Sequence, residues 1–138
     1  IQQLKEILAD QEIDVLAFDL PYHQGPAACL HLMSLISPVA ESMALIHRPL
    51  MPVALIELLE SSGYQLLVAP KQEFEVSGGL NLNLLATAPE QCIMVDGFPQ
   101  TRSLLEKHGI AVSTFNADAL CIGGEGGPTC LTRPIWRL

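Results

Sequence analysis

The chain has 138 residues, 49% of them hydrophobic and 16% charged, a composition that supports a folded core and excludes a disordered chain. Seven Lys and Arg against fifteen Asp and Glu leave a net charge of -8. The sequence therefore offers no basic face to displace counterions from phosphates, and no nucleic-acid partner is expected. The same charge favours cationic ligands over long range.

Apolar stretches fall short of the ~20 residues that a membrane span needs, and charges or prolines interrupt them, so no membrane partner is expected. Cys29, Cys92, Cys121 and Cys130 lack the dense spacing of a small secreted disulfide scaffold, and no secretory signal is visible. A cytoplasmic protein with reduced thiols is predicted. The chain opens on Ile1 within a helical pattern, as the C-terminal part of a longer protein would.

Residues 1–9 show helical spacing, with Leu4, Ile7 and Leu8 on one face. Residues 13–20 read as a strand, and 21–26, with Pro21, Gly25 and Pro26, as a loop. Residues 30–39 alternate large apolar and smaller side chains and read as a strand; 42–47 read as a short apolar strand. Residues 52–62 read as a helix, with Pro52 suited to its first turn and Gly63 to the position past its end. Residues 64–69 read as a strand. Gly78 and Gly79 then open a strictly alternating strand over 80–87, followed by a strand at 91–95, a helix at 99–108 ended by Gly109, and a strand at 110–115.

Strand, strand, helix, strand thus occurs twice, with the copies ~50 residues apart, a period that suggests a repeat architecture. The fold class predicted is α/β, of mixed packing. Residues 1–20 read as the tail of a preceding module, 28–70 as one module, 78–116 as a second, and 117–138 as a cysteine-bearing loop with a C-terminal strand. Two and a half modules leave sheet edges unpaired unless another segment covers them.

Two segments stand out chemically. In Cys29-Leu30-His31-Leu32-Met33-Ser34, a histidine lies inside an apolar run, where it must find hydrogen-bond partners if buried. It reads either as a satisfied structural histidine or as a functional one. In the segment from Gly123 to Pro134, four glycines and Pro128 surround Cys130. Glycine permits unusual dihedrals and close approach to a ligand, and turn-like amides can face a developing charge. A terminal loop with an incidental thiol is the plain alternative.

Together, Leu30-His31-Leu32 and Gly126-Gly127-Pro128-Thr129-Cys130-Leu131-Thr132-Arg133-Pro134 resemble the guanidino-group-modifying superfamily. That superfamily comprises arginine deiminases, dimethylarginine dimethylaminohydrolases and amidinotransferases. The resemblance implies a pentein-type α/β propeller of strand–strand–helix–strand modules, of which this chain would hold the last two and part of a third. It implies Cys130 as catalytic nucleophile and His31 as acid/base, with a small guanidinium compound as substrate. The family's earlier modules supply a carboxylate that grips the guanidinium; Asp19 and Asp118 are the local candidates, and neither maps onto a family role. Those modules, from the same protein or another copy, would be partners of this one.

The chemistry makes the residue types intelligible. A guanidinium carbon is weakly electrophilic, and only a thiolate, not a thiol, attacks it readily. A free thiol has a pKa of about 8.5, so a cationic substrate or a nearby imidazolium would raise the thiolate fraction. An imidazole can protonate the departing amine and then activate water to release a thiouronium adduct, with no metal or cofactor required. Hydrolysis needs only water as acceptor, amidino transfer an amine, and a non-catalytic interaction scaffold would need neither Cys130 nor His31.

Other readings of the same residues are weaker. Cys29, His31, Cys121 and Cys130 lack the tight paired spacing of a zinc site. The glycine-rich stretch has no Gly-Lys-Ser/Thr ending and no helix after it, unlike a phosphate loop. Cys92 and Cys121 read as core residues and Cys29 as packing. His23, His47 and His108 read as surface or loop residues, Trp136 as an anchor for the tail, and Arg133 as loop scaffolding paired with a carboxylate.

Overall fold

A computed structural model describes residues 1–11, 13–26, 30–124, 126–133 and 135. It contains two three-stranded sheets of identical topology. In the first, β1 (Ile36–Ala40) pairs antiparallel with β2 (Met43–Ile46), and β2 pairs parallel with β3 (Gln65–Val68). In the second, β4 (Leu85–Ala88) pairs antiparallel with β5 (Gln91–Val95), and β5 pairs parallel with β6 (Ala111–Phe115).

Helices α1 (Gln2–Leu8), α2 (Val53–Ser61), α3 (Lys71–Ser77) and α4 (Pro99–Lys107) complete the regular structure. The parallel pairs need a crossover, and α2 and α4 supply it. The strand–strand–helix–strand repeat is therefore present in the fold.

The repeat extends to its end signals. After α2, the Gly63 N–H donates to Glu60 O at 3.1 Å and the Tyr64 N–H to Leu59 O at 2.9 Å. After α4, Gly109 bonds Glu106 O at 3.1 Å and Ile110 bonds Leu105 O at 3.1 Å. Both glycines take a left-handed backbone, with φ of 79° and 83°, which a side chain would strain. Each crossover helix thus stops where its sequence says, and the chain turns back into the parallel strand.

The core follows from strand alternation. On β2, Leu45 points to one face, into a cluster with Val39, Leu82, Leu84 and Met94 that spans both sheets. Ala44 and Ile46 point to the other, against Leu35 and Leu55 of α2. A strand buried on both faces reads as a continuous apolar run, as β2 does.

Three expectations from the sequence are corrected. Residues 13–20 form no strand: among the described residues no ladder partner lies beside them, although Phe18 and Leu20 pack on the first module. The expected strand over 30–39 is a 3-10 turn, Leu32–Ser34, followed by β1. The expected strand over 80–87 is a 3-10 turn, Leu80–Leu82, followed by β4. Helix α3 lies on residues between the two predicted modules, to which the sequence reading assigned no element.

His47, expected at the surface or in a loop, is instead buried: it is 6% exposed, its ring stacks on Phe74 with centroids 3.4 Å apart, and its Nδ1 has no hydrogen-bond partner among the described residues. His108 is half-buried, with Nδ1 2.8 Å from the Leu104 carbonyl.

Helix α3 carries the main polar tie between modules. Glu73 is 9% exposed, and its carboxylate accepts the Gln100 N–H at 2.8 Å, the Thr101 N–H at 2.8 Å and the Thr101 hydroxyl at 2.6 Å. Asn81, fully buried, donates to the same Thr101 oxygen at 3.0 Å. These amides are the first of α4, which have no partner within the helix, and a negative charge is favoured there.

Two stability predictions follow from these groups. Glu73→Ala leaves the α4 amides buried without an acceptor and should cost about 3 kcal/mol in urea denaturation, with Glu73→Gln costing less. Burial holds the His47 imidazole below its ordinary range, against a smaller opposing pull from Glu75 and minor contributions from His23 and Lys71. The folded state therefore resists a proton that the unfolded chain accepts below about pH 6.5, and stability falls as the pH drops through that value. His47→Phe, which keeps the stack, should flatten that acid-side loss when urea midpoints are compared at about pH 7.5 and 5.5.

Candidate active site

The loop after β6 turns back over the second module. Residues Asp118–Ile122 form a π-helical turn that buries Cys121, and the Gly126 N–H then donates to Cys121 O at 3.0 Å. The Leu131 N–H closes the next turn onto Gly127 O at 3.1 Å. Between them stands Cys130, exposed to solvent.

Two side-chain bonds seat this loop on the residues just before β4. The Thr129 hydroxyl donates to the Leu84 carbonyl, and the Thr129 N–H donates to Asn83 Oδ1 at 2.9 Å. The Asn83 Nδ2–H in turn donates to Cys130 Sγ at 2.8 Å. Gly127 lies directly against the Asn83 side chain, in space that a Cβ would occupy. Absence of a side chain at 127 is what allows the loop to approach so closely.

The loop forms one wall of a cavity of about 1060 Å³. The first module also lines it, with His31, Met33 and Ser34, at and within the 3-10 turn before β1. The Ser77–Leu80 connection and Asn83 complete the lining named here. His31 and Cys130, 99 positions apart in sequence, thus line one cavity.

The cysteines differ in environment. Burial pushes the Cys92 thiol up to about 11, which keeps it protonated. Burial also raises Cys121, and neighbouring Cys130 adds in the same direction. Cys121 is 1% exposed, so the expectation of a core residue beside the loop holds. Among the described cysteines only Cys130 is exposed, and reactivity requires access.

Arg133 also lines the cavity, and it takes no part in the described ion pairs, which join Arg48 to Glu60, Lys71 to Glu75 and Arg102 to Glu106. Asp19 and Asp118 do not line the cavity; Asp118 is exposed and bonds Asn116 at 3.3 Å. Among the described residues the lining holds no carboxylate, and no three His, Cys, Asp or Glu converge as metal ligands. Cys29 and Trp136 lie outside the described residues.

Sequence reasoning singled out His31 as a polar residue in an apolar run but passed over Asn83 in Leu80-Asn81-Leu82-Asn83-Leu84-Leu85, where the same argument applies. Both asparagines are buried and bonded.

Comparison with known proteins agrees with the fold. The chain resembles the amidinotransferase SxtG from Microseira wollei, of the saxitoxin biosynthetic pathway, with a TM-score of 0.78 at 24% identity over 99% of this chain and 38% of that one. It resembles the inosamine-phosphate amidinotransferase StrB1 from Streptomyces griseus with a TM-score of 0.59 at 23% identity over 80% of this chain and 34% of that one. The arginine deiminases of Lactococcus lactis subsp. lactis (strain IL1403) and subsp. cremoris (strain MG1363) are each 30% identical over 82 residues, which is 59% of this chain. The chain spans 19% of the length of those curated relatives. The arginine deiminase family model matches residues 33–137, a span that includes Asn83 and Cys130 and begins two residues after His31. With most of its length matched, this chain belongs to the arginine deiminase family.

Proposed function

We propose that the full protein modifies guanidino groups, hydrolysing a C–N bond of arginine or of a methylated or related guanidinium compound. Cys130 is the nucleophile and His31 the acid/base. The observation that carries this reading is the shared cavity: an exposed sulfur on a glycine-rich loop and an imidazole from the other module face one space. Family membership supports the guanidinium as the group attacked.

The reaction runs in two halves. The Cys130 thiolate attacks the guanidinium carbon, and His31 gives a proton to the departing nitrogen as the C–N bond breaks. An amine or ammonia leaves, and an S-amidino cysteine, a thiouronium, remains. His31, now neutral, takes a proton from water as its oxygen adds to the same carbon. The C–S bond breaks as the added hydroxyl becomes the ureido carbonyl and gives up its proton to solvent or to the released amine; the ureido product leaves and the thiolate is restored. A positioned acid/base of this kind contributes roughly 10²–10⁴ in rate.

Modules outside this sequence, from the same polypeptide or another copy, close the propeller and bring the carboxylate that the described lining lacks. The fraction of the relatives' length spanned here supports that division. Reduced thiols suit a cytoplasmic protein.

Amidino transfer is the second reading, favoured by the fold neighbours, both amidinotransferases. In it an amine instead of water attacks the thiouronium, and an amidinated amine leaves.

The test uses the full-length protein with arginine and N-methylated arginines. Cys130→Ser should abolish turnover, and His31→Ala should lower kcat by roughly 10²–10⁴. Mass spectrometry of the acid-quenched enzyme should find the amidino adduct on the Cys130 peptide. Reaction in ¹⁸O-water should give an ¹⁸O-labelled ureido product for hydrolysis, whereas transfer to an added amine should give an amidinated amine and no ureido product. Full turnover by Cys130→Ser would exclude the covalent route.

A further inference from the structure

Asn83 is 7% exposed and reaches the cavity wall from the junction of a 3-10 turn and β4. Its amide makes two bonds of opposite polarity to adjacent residues of the loop, accepting from Thr129 and donating to Cys130 Sγ. The orientation is not interchangeable. A backbone N–H only donates, so it fixes the amide oxygen toward Thr129 and leaves the NH₂ group toward the sulfur. Gly127 lies against the same side chain, in space that a Cβ would occupy.

We propose that Asn83 is a positioning residue for the nucleophile, holding the Cys130 sulfur in place by a donated hydrogen bond that is strongest when the sulfur is anionic. This inference rests on the reading of Cys130 as nucleophile. A donor to a charged acceptor forms roughly twice as strong a bond as one to a neutral acceptor. The bond therefore favours the attacking thiolate, weakens in the thiouronium, where the sulfur is alkylated, and strengthens again as the C–S bond breaks. Asn83 would assist release of the adduct as well as its formation. It accomplishes this without a charge of its own, so it does not repel a cationic substrate.

Anchoring the loop requires only the oxygen, whereas holding the sulfur requires the NH₂ group. Asn83→Asp keeps an acceptor for Thr129 at almost the same volume and sets a second oxygen against the sulfur. Asn83→Ala removes both bonds. The full-length protein should be treated with iodoacetamide near neutral pH, and alkylation followed on the Cys130 peptide by mass spectrometry. Asn83→Asp should melt close to wild type yet alkylate at least about tenfold more slowly, the size expected for a lost hydrogen bond to a charged group. Its kcat should fall with KM little changed. Asn83→Ala should lose both alkylation rate and thermal stability.

Should neither variant fold, selective ¹⁵N-asparagine labelling of the wild type gives the second measurement. The Asn83 side-chain amide resonance should move when Cys130 is alkylated, and a fixed resonance would overturn the proposal. Wild-type alkylation by a folded Asn83→Asp would overturn it equally. The two readings fail differently. If Cys130 is not the nucleophile, no guanidinium adduct forms on the wild type, while alkylation still ranks the Asn83 variants. If Asn83 does not position the sulfur, the adduct forms and the Asp variant alkylates normally.

Discussion

The position of the Cys130 sulfur depends on a clamp of two side chains. Within the loop, the backbone bonds of Gly126 to Cys121 and of Leu131 to Gly127 are local turns that fix shape but not location. Location comes from the Asn83 amide and from the Thr129 hydroxyl on the Leu84 carbonyl. Asn83 and Leu84 lie between Leu82, which is fully buried, and β4, which is paired to β5. The loop therefore takes its position from the core of the second module, which is what the proposed role of Cys130 would require of a preorganised group.

The cavity depends equally on how the two modules meet. The Ser37 hydroxyl on β1 donates to the Leu82 carbonyl, and the Glu90 N–H donates to Val39 O at 3.2 Å. Glu73, in the first turn of α3, binds the start of α4. These polar bonds surround the apolar cluster that both sheets share. Each module opens with a 3-10 turn ahead of its first strand; His31 immediately precedes the first turn and Asn83 immediately follows the second. The repeat thus contributes from opposite ends of corresponding turns, the imidazole from one copy and the amide from the next, and the relative placement of the two is set by the interface between them.

Much of this was legible in the sequence, for identifiable reasons. Helices α2 and α4 announce themselves by a proline at the start and a glycine past the end, and both glycines are in the backbone conformation that those signals imply. Strands β2, β3, β5 and β6 are short apolar runs between such stops. The lead-in segments misled because a three-residue 3-10 turn and an alternating strand place leucines at similar spacings, as in Leu80-Asn81-Leu82. Residues 13–20 have strand composition, but composition supplies no ladder partner. His47 precedes Arg48-Pro49, which reads as a loop, while its burial arises from Phe74, 27 residues on, which no local pattern reveals. The Cys130 motif was legible because glycine, proline and cysteine are unusual together; its partner in Asn83 was hidden within a strand-like alternation.

The charge pattern of the cavity argues for a divided site. A guanidinium leaving water must recover its hydration energy from an opposite charge in good geometry. At ~4 Å and an effective dielectric of ~20, such a pair is worth about 4 kcal/mol. The described lining offers Arg133 as its one permanent charge and no carboxylate, so the described groups do not hold a cation by charge. The chain's net charge of -8 attracts such a ligand from a distance without placing it. On the proposed function, this chain contributes the sulfur, the proton carrier and the amide that steadies the sulfur, while the charge that grips the substrate comes from modules beyond it. A separation of that kind makes binding and chemistry independently tunable: changes in the gripping modules would move KM and substrate choice, and changes around Asn83 would move the chemical step.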